Sequence, residues 1–200
     1  MVRGMQKFLK VLIDRLFAGL FLVVFSPVLL GIAIGIKKED GGPVFFRQER
    51  LGKNGRVFKI VKFRSMVPDA MSKGSGLHIQ PNDDRITRIG RFLRKSSLDE
   101  LPQLVNILKG EMSFIGPRPP VPTYPKRYED YEAWVLVRFQ MLPGMTGLAQ
   151  VSGRNDIDWY ERFRYDVDYV QDWSLMKDIR IFLLTFKTVL KGKGIYKDPT

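Results

Sequence analysis

A chain of 200 residues with 44% hydrophobic content is long enough to bury one core of its own. Its 33 Lys+Arg against 21 Asp+Glu give a formal net charge of +12, which points to a phosphate-rich partner: a nucleotide, a nucleic acid or an anionic membrane surface. Having no cysteine excludes disulfides, thiolate metal sites and cysteine nucleophiles, and a lone His78 excludes a multi-histidine metal site, so acidic residues must carry any acid–base or metal chemistry.

The first element is apolar. The 21 residues from Leu16 to Ile36 carry no charge, enough at about 1.5 Å per residue to cross a hydrocarbon layer about 30 Å thick. The run is longer than the apolar part of a cleaved leader and no small-x-small site closes it, so it is expected to stay on the mature protein. Arg3, Lys7, Lys10 and Arg15 precede it and Lys37 and Lys38 follow it, so both ends favour the same side of a membrane. Near its middle stand Ser26 and Pro27. Proline lacks an N–H and clashes with the carbonyl four residues back, while the serine can bond the freed backbone group. A kink is expected there. It suits a kinked transmembrane helix, or two half-helices that enter one leaflet and return.

The β-formers Val44–Phe46 and Val57–Val61 flank a Gly- and Asn-bearing turn at Gly52–Gly55, which predicts a β-hairpin leading into Lys62 and Arg64. Residues 67–82 read as a loop. From Asp83 to Lys95 a basic helix is expected, with Ile86, Ile89, Phe92 and Leu93 on one face and Arg85, Arg88, Arg91 and Arg94 on the other. Ser97 then opens SLDELPQL. Ser97 with Glu100 fits a capping box, Asp99 and Glu100 fall in a first turn that favours negative charge, and Pro102 fixes the helix start. On spacing alone, the acidic pair either caps this helix or presents two carboxylates at a rim where phosphate binds.

GPRPPVP holds Arg118 on a proline-locked turn suited to bidentate phosphate contact, or to structure alone. LPGMTGLAQVSGRND is a glycine-rich loop bearing Thr146, Gln150, Arg154 and Asn155, whose plain reading is a surface turn cluster; Asp166 follows among aromatic and basic residues, where a salt bridge is the plain reading. From Trp173 to Gly194, Leu175, Met176, Ile179, Phe182, Leu183, Phe186 and Leu190 recur at helical spacing among cations. Such a helix suits the membrane interface with Trp173 as anchor, and equally a position on the domain's own core.

Taken in order, KFRSM, RKSSLDELPQL, GEMSFIGPRPP, PGMTGLAQVSGRN and FRYDVDYV resemble the bacterial sugar transferase family, the small monotopic polyprenyl-phosphate phosphoglycosyl transferases, from about Lys10 to about Gly194. The resemblance implies an α+β, mostly helical fold. Residues 1–38 would form a re-entrant membrane anchor broken at Ser26 and Pro27. Residues 39–200 would form a catalytic domain with a small β-hairpin and interfacial amphipathic helices, one of them carboxy-terminal, on the cytoplasmic face of the bacterial inner membrane.

It also implies transfer of a sugar 1-phosphate from a nucleoside diphosphate sugar, with uridine as the base, to polyprenyl phosphate, through a covalent sugar-phosphate on Asp99. Magnesium would be placed by Asp99 and Glu100, and phosphate contacted by Arg94 and Arg118. Lys62, Arg64, Gln150, Arg154, Asn155 and Asp166 sit in matching motifs and are expected to bind the donor or support the site. Anionic lipids are expected partners, nucleic acid is not, and a homodimer is left open. Leu148 and Ser152 depart from the Trp and Asn common in the family, which bears on sugar choice or loop packing. The chain resembles the minimal catalytic form, without the extra transmembrane helices of larger members. The competing class is a non-catalytic, membrane-anchored basic module, which would need the cations and the anchor but not the acidic pair.

Overall fold

A computed structural model describes residues 2–70, 83–153 and 157–191. It opens with two helices, α1 (Val2–Val24) and α2 (Ser26–Asp40), bent by 63° at the break between them. Pro27 lies in the first turn of α2, and the Ser26 hydroxyl donates to the Val23 carbonyl at 2.7 Å. Backbone bonds from Phe25 N to Phe21 O and from Leu29 N to Phe25 O carry the ladder across the bend, so the chain turns without unwinding. Neither helix is long and apolar enough to cross a bilayer alone, although the bent pair is so by length and composition. Much of its surface is apolar and exposed, including Phe8, Leu16, Leu20, Val23, Val28 and Leu30.

One face of α1 belongs to the core. Ala18 is fully buried against Phe58, Ile60, Leu104, Ile107 and Met112. Lys10, expected among the membrane-flanking cations, is instead 6% exposed and donates to Asp178 at 2.8 Å; its neighbour Asp14 accepts from the Ser113 hydroxyl at 2.5 Å. A buried ammonium needs a carboxylate, and one lies 168 residues away in the chain.

The expected hairpin is present and longer than expected. Strand β1 (Phe45–Leu51) pairs antiparallel with β2 (Val57–Phe63), Phe45 opposite Phe63 and Leu51 opposite Val57. The polar run Arg47–Arg50 carries no strand signal of its own and is extended by its pairing with β2. Asn54 and Gly55 take the positive φ that the turn requires.

Helix α3 (Arg88–Ser96) starts five residues later than expected from Asp83. Asp83 and Arg85 close a salt bridge at 2.6 Å and Ile86 bridges to Met66; Thr87 then caps the helix, its side chain accepting from Gly90 N at 3.0 Å. The carboxylate of Glu39, at the end of α2, accepts from Arg88 N and Ile89 N at 2.7 and 3.2 Å. Gly90 backs onto Ser65, where a Cβ would lie 2.0 Å from the backbone oxygen.

Beyond α3 lie a 3-10 helix at Leu98–Gln103, helix α4 (Leu104–Lys109) and strand β3 (Ser113–Ile115). Helix α5 (Ala133–Leu136) is followed by strand β4 (Gly144–Thr146), parallel to β3, and then by α6 (Leu148–Ser152), α7 (Trp159–Gln171) and α8 (Leu175–Lys191). In α8 the inward face is Asp178, Ile181 and Thr185, while Leu175, Met176, Ile179, Phe182, Leu183 and Phe186 are exposed. Trp173 is no interfacial anchor. It is 6% exposed, packed with Ile115, Tyr169, Val170 and Ile181, and its indole donates to Asp178 at 3.2 Å.

Asp40, the last residue of α2, grips Arg64 with both carboxylate oxygens, and Arg64 also donates to the Pro43 carbonyl at 2.5 Å. The Arg64 hydrogen bonds hold the Asp40 carboxyl down at about 2, against an ordinary value of 3.8. A carboxyl more acidic in the folded chain than in the unfolded one adds stability above its ordinary range and loses it as pH falls through the folded value. In mild detergent Asp40→Asn is expected to melt several degrees below the wild type at pH 7, with the gap closing as pH is lowered from about 4 toward about 2. An equal gap at both ends of that range would contradict this assignment.

Candidate active site

Ser97 determines how the acidic pair is presented. Its φ of 58° makes it the left-handed cap that ends α3, its N–H donating to the Arg94 carbonyl at 3.3 Å. A capping box needs an extended N-cap residue, so the expected Ser97–Glu100 box does not form, and no Ser97 side-chain cap bond is made. The chain enters instead the 3-10 turn Leu98–Gln103, with Asp99 and Glu100 in its first turn, half-buried, and Pro102 two residues before α4 begins. Freed from capping, Glu100 reaches across to β2, where Lys62 Nζ donates to its Oε1 at 2.5 Å.

Asn106 on α4 fixes that meeting. Its side chain accepts from Val61 N at 3.0 Å and donates to the Lys59 carbonyl at 2.8 Å, tying α4 to the strand that carries Lys62. Arg94, in the last turn of α3, donates from Nε to the Ser65 hydroxyl at 2.8 Å. Arg118 lies on the turn after β3 and lines a narrow cleft with Arg50, Lys62, Glu100, Gln103 and Gly144. Its guanidinium makes no hydrogen bond to a described residue.

The electrostatics of the two carboxylates diverge. Burial pushes Asp99 up to about 6, with the adjacent Glu100 adding to the rise and Lys62 and Arg94 pulling against it. Burial acts on Glu100 in the same sense, but Lys62 and Arg118, with Arg50, outweigh it and hold that carboxyl below its ordinary range. One carboxylate is therefore locked in an ion pair, while the Asp99 carboxylate accepts no side-chain hydrogen bond among the described residues. Such a pair can hold a cation jointly, or leave Asp99 to react while Glu100 stays charged.

Of the residues singled out from sequence, Asp99, Glu100, Lys62, Arg94 and Arg118 come together. Arg64 does not join them: its donors are spent on Asp40 and the Pro43 and Met66 carbonyls, where it fastens α2 to the hairpin's end. Asp166 is 1% exposed and paired with an equally buried Arg138 at 2.6 Å. Burial raises the Asp166 carboxyl even with Arg138 beside it, as expected where desolvation rivals attraction. Arg138 in turn donates to the Arg118 carbonyl at 2.6 Å. Gln150 lies by Gly147 with both amide heteroatoms buried and unpartnered. Arg154 and Asn155 lie outside the described residues.

Sequence reasoning passed over Arg50 and Arg138. Arg50 was one cation in the polar run RQERLG. Arg138 stands alone in VLVRFQM, and a single charge in an apolar run is a signal that a buried partner such as Asp166 exists.

An acid pair ringed by cations suits chemistry on a phosphate-bearing substrate. The bacterial sugar transferase model matches residues 5–192, and the chain belongs to that family. It is 41% identical over 206 residues to the undecaprenyl-phosphate galactose phosphotransferase of Salmonella typhimurium, covering 96% of this chain and 42% of the relative. It is 45% identical over 195 residues to the UDP-glucose:undecaprenyl-phosphate glucose-1-phosphate transferase of Xanthomonas campestris pv. campestris, with coverages of 94% and 40%. It is 42% identical over 197 residues to the exopolysaccharide production protein ExoY of Rhizobium meliloti, with coverages of 92% and 86%. The chain thus spans about two-fifths of the longer relatives.

Removing Asp166 strands the Arg138 charge in the core, a loss of about 3–5 kcal/mol. Asp166→Ala is expected to lower the unfolding midpoint in urea by that amount of stability, and a change within about 0.5 kcal/mol would show that the pair is dispensable.

Proposed function

We propose that the protein transfers a sugar 1-phosphate from a nucleoside diphosphate sugar to a polyprenyl phosphate, as the first membrane step in assembling a glycan. The names of the relatives favour a uridine diphosphate sugar and undecaprenyl phosphate as the substrates. The observation that carries the reading is a carboxylate pair, Asp99 and Glu100, among Arg50, Lys62, Arg94 and Arg118. A basic module that only held anions would gain nothing from half-burying two negative charges there.

An Asp99 carboxylate oxygen attacks the phosphorus that bears the sugar. The bond from that phosphorus to the bridging oxygen breaks, and nucleoside monophosphate leaves with the electron pair. A phosphate oxygen of the polyprenyl phosphate then attacks the same phosphorus, forming the diphosphate-linked sugar lipid and returning the Asp99 carboxylate. A carboxyl at about 6 is still mostly ionised at neutral pH, and its higher basicity makes it a better nucleophile than an ordinary carboxylate. Lys62, Arg94 and Arg118 offset the repulsion between that carboxylate and an anionic donor.

Adjacent hard oxygen donors suit Mg2+, which binds through one or two carboxylates and completes its shell with substrate phosphates and water. Among the described residues no group of three or more Asp, Glu, His or Cys gathers to form a full cage, so Asp99 and Glu100 would hold the ion with the donor's help. When bound, it supplies charge neutralisation at the diphosphate.

The bent pair α1–α2 enters one leaflet of the bacterial cytoplasmic membrane and returns, with the catalytic residues on the cytoplasmic face. Its 63° bend, exposed apolar surface and basic flanks support this arrangement. The outward apolar stripe of α8 lies in the interface plane, and exposed cations draw the protein to anionic lipids.

Asp99→Asn is expected to cut nucleoside monophosphate release by about three orders of magnitude or more without lowering the melting temperature. Chelating divalent cations should stop release in the wild type and added Mg2+ should restore it. Full activity in Asp99→Asn would overturn the mechanism. For topology, single cysteines in Arg3→Cys and Lys38→Cys are expected to react with an impermeant reagent from the same side of the membrane. Labelling from opposite sides would mean a true span.

A further inference from the structure

The turn that carries Arg118 cannot hold itself. Pro117, Pro119 and Pro120 have no N–H to donate, and yet the four carbonyls from Pro117 through Pro120 each accept a hydrogen bond from a different place. Pro117 O accepts from Gly144 N at 2.9 Å, Arg118 O from Arg138 Nη2 at 2.6 Å, Pro119 O from Arg50 Nη1 at 3.0 Å, and Pro120 O from Leu51 N at 2.9 Å. Strand β4, the segment after α5 and the end of β1 thus grip the turn through its acceptors. The Arg118 guanidinium is left to line the cleft beside Glu100.

Arg50 is the costly member of this grip. It lies half-buried in the same cleft as Arg118, a second cation facing the first, and its Nε is buried without a partner. Burial and the Arg118 charge pull its pKa down to about 10, which leaves it charged at neutral pH. A neutral residue on an edge strand would avoid both the repulsion and the orphaned donor. What the guanidinium provides is two fixed directions: Nη1 to Pro119 O, and Nη2 to the Gln48 side chain at 2.5 Å.

We infer that Arg50 is a positioning residue, one that fixes the Arg118 guanidinium toward the donor's diphosphate by clamping the Pro119 carbonyl. This rests on the transferase reading above and assigns the turn's aim to a strand residue outside the acidic pair. Arg138 shares the task from the other side, but it is unsuited as a test because its loss strands Asp166 in the core.

The test uses the full chain in detergent or nanodiscs, with Arg50→Met, Arg50→Lys, Arg118→Ala and the double variant of Arg50→Met and Arg118→Ala. Arg50→Met is expected to lower kcat by about 10- to 100-fold with KM little changed, since misplacing a contact that tightens in the transition state costs on this scale. Arg50→Lys, which keeps the charge and one donor, should recover most of that loss. With Arg118 already removed, adding Arg50→Met should cost less than about threefold, because residues acting as one unit are not additive. Additive losses would mean that Arg50 touches the donor itself, and would overturn the positioning role.

Hydrogen–deuterium exchange gives a readout independent of turnover. Exchange at Gly116 and Gly144, whose N–H groups bond the Thr146 and Pro117 carbonyls, should quicken in Arg50→Met while the melting temperature holds, and unchanged exchange there would overturn the clamp. A wild-type protein without transferase activity would sink the functional reading, and the exchange measurement would still decide the clamp.

Discussion

Two adjacent carboxylates can remain half-buried only if cations share the space, and most of the architecture follows from meeting that condition. Lys62 comes from β2, Arg94 from the last turn of α3, Arg118 from the turn after β3 and Arg50 from β1. Each is delivered by a different element. Asn106 ties α4 to β2, Ser65 receives Arg94, and four external donors hold the Arg118 turn. The result splits the pair: Glu100 is charged and committed, while Asp99 is charged less readily and is unengaged by side chains. A site with this asymmetry offers one carboxylate for bond formation and another for constant charge.

The bent apolar pair α1–α2 is built into the same structure rather than tethered to it. Ala18 on α1 packs with Leu104 and Ile107 on the helix that directly follows the acidic turn, and Arg15 donates to the Lys109 carbonyl at 3.2 Å. At the other end, Glu39 caps α3, which ends in the Arg94 turn, and Asp40 holds Arg64. Lys10 reaches Asp178 on α8, where Tyr169 and Trp173 also donate. The position of α1–α2 and the geometry of the cleft are therefore linked through short, well-packed contacts. Under the proposed transfer of a sugar phosphate to a lipid, that linkage would set the height of Asp99 relative to the bilayer.

How much of this was legible in the sequence depends on the range of the interaction responsible. The hairpin and the bend at Pro27 are local: β-formers around a Gly and Asn turn, and a missing N–H in a helix. The supposed capping box failed because Ser97 is recruited to end the preceding helix, and a residue in the left-handed region cannot be an N-cap. The late start of α3 has a partly tertiary cause: Arg85 donates to the Ala70 carbonyl and Ile86 bridges to Met66. In α8 the apolar stripe leaves the inward face undecided between core and interface; Asp178 and Thr185 turn inward because Lys10, Tyr169, Trp173 and Thr146 meet them there. No spacing rule contains that information. Arg50 and Arg138 were hidden for the same reason, as each is defined by a carbonyl on the Arg118 turn. The acidic pair itself was visible, but its meaning came from family resemblance and not from spacing.

The proposed transfer depends most on Asp99 acting as a nucleophile. Peptide mass spectrometry of the protein quenched with acid after exposure to an intact nucleoside diphosphate sugar that it consumes, with the lipid acceptor withheld, addresses this directly. The peptide containing Asp99 should gain the mass of one sugar phosphate, and lose it when polyprenyl phosphate is added. Sustained transfer with acceptor present, and no such adduct on that peptide at any time, would contradict it.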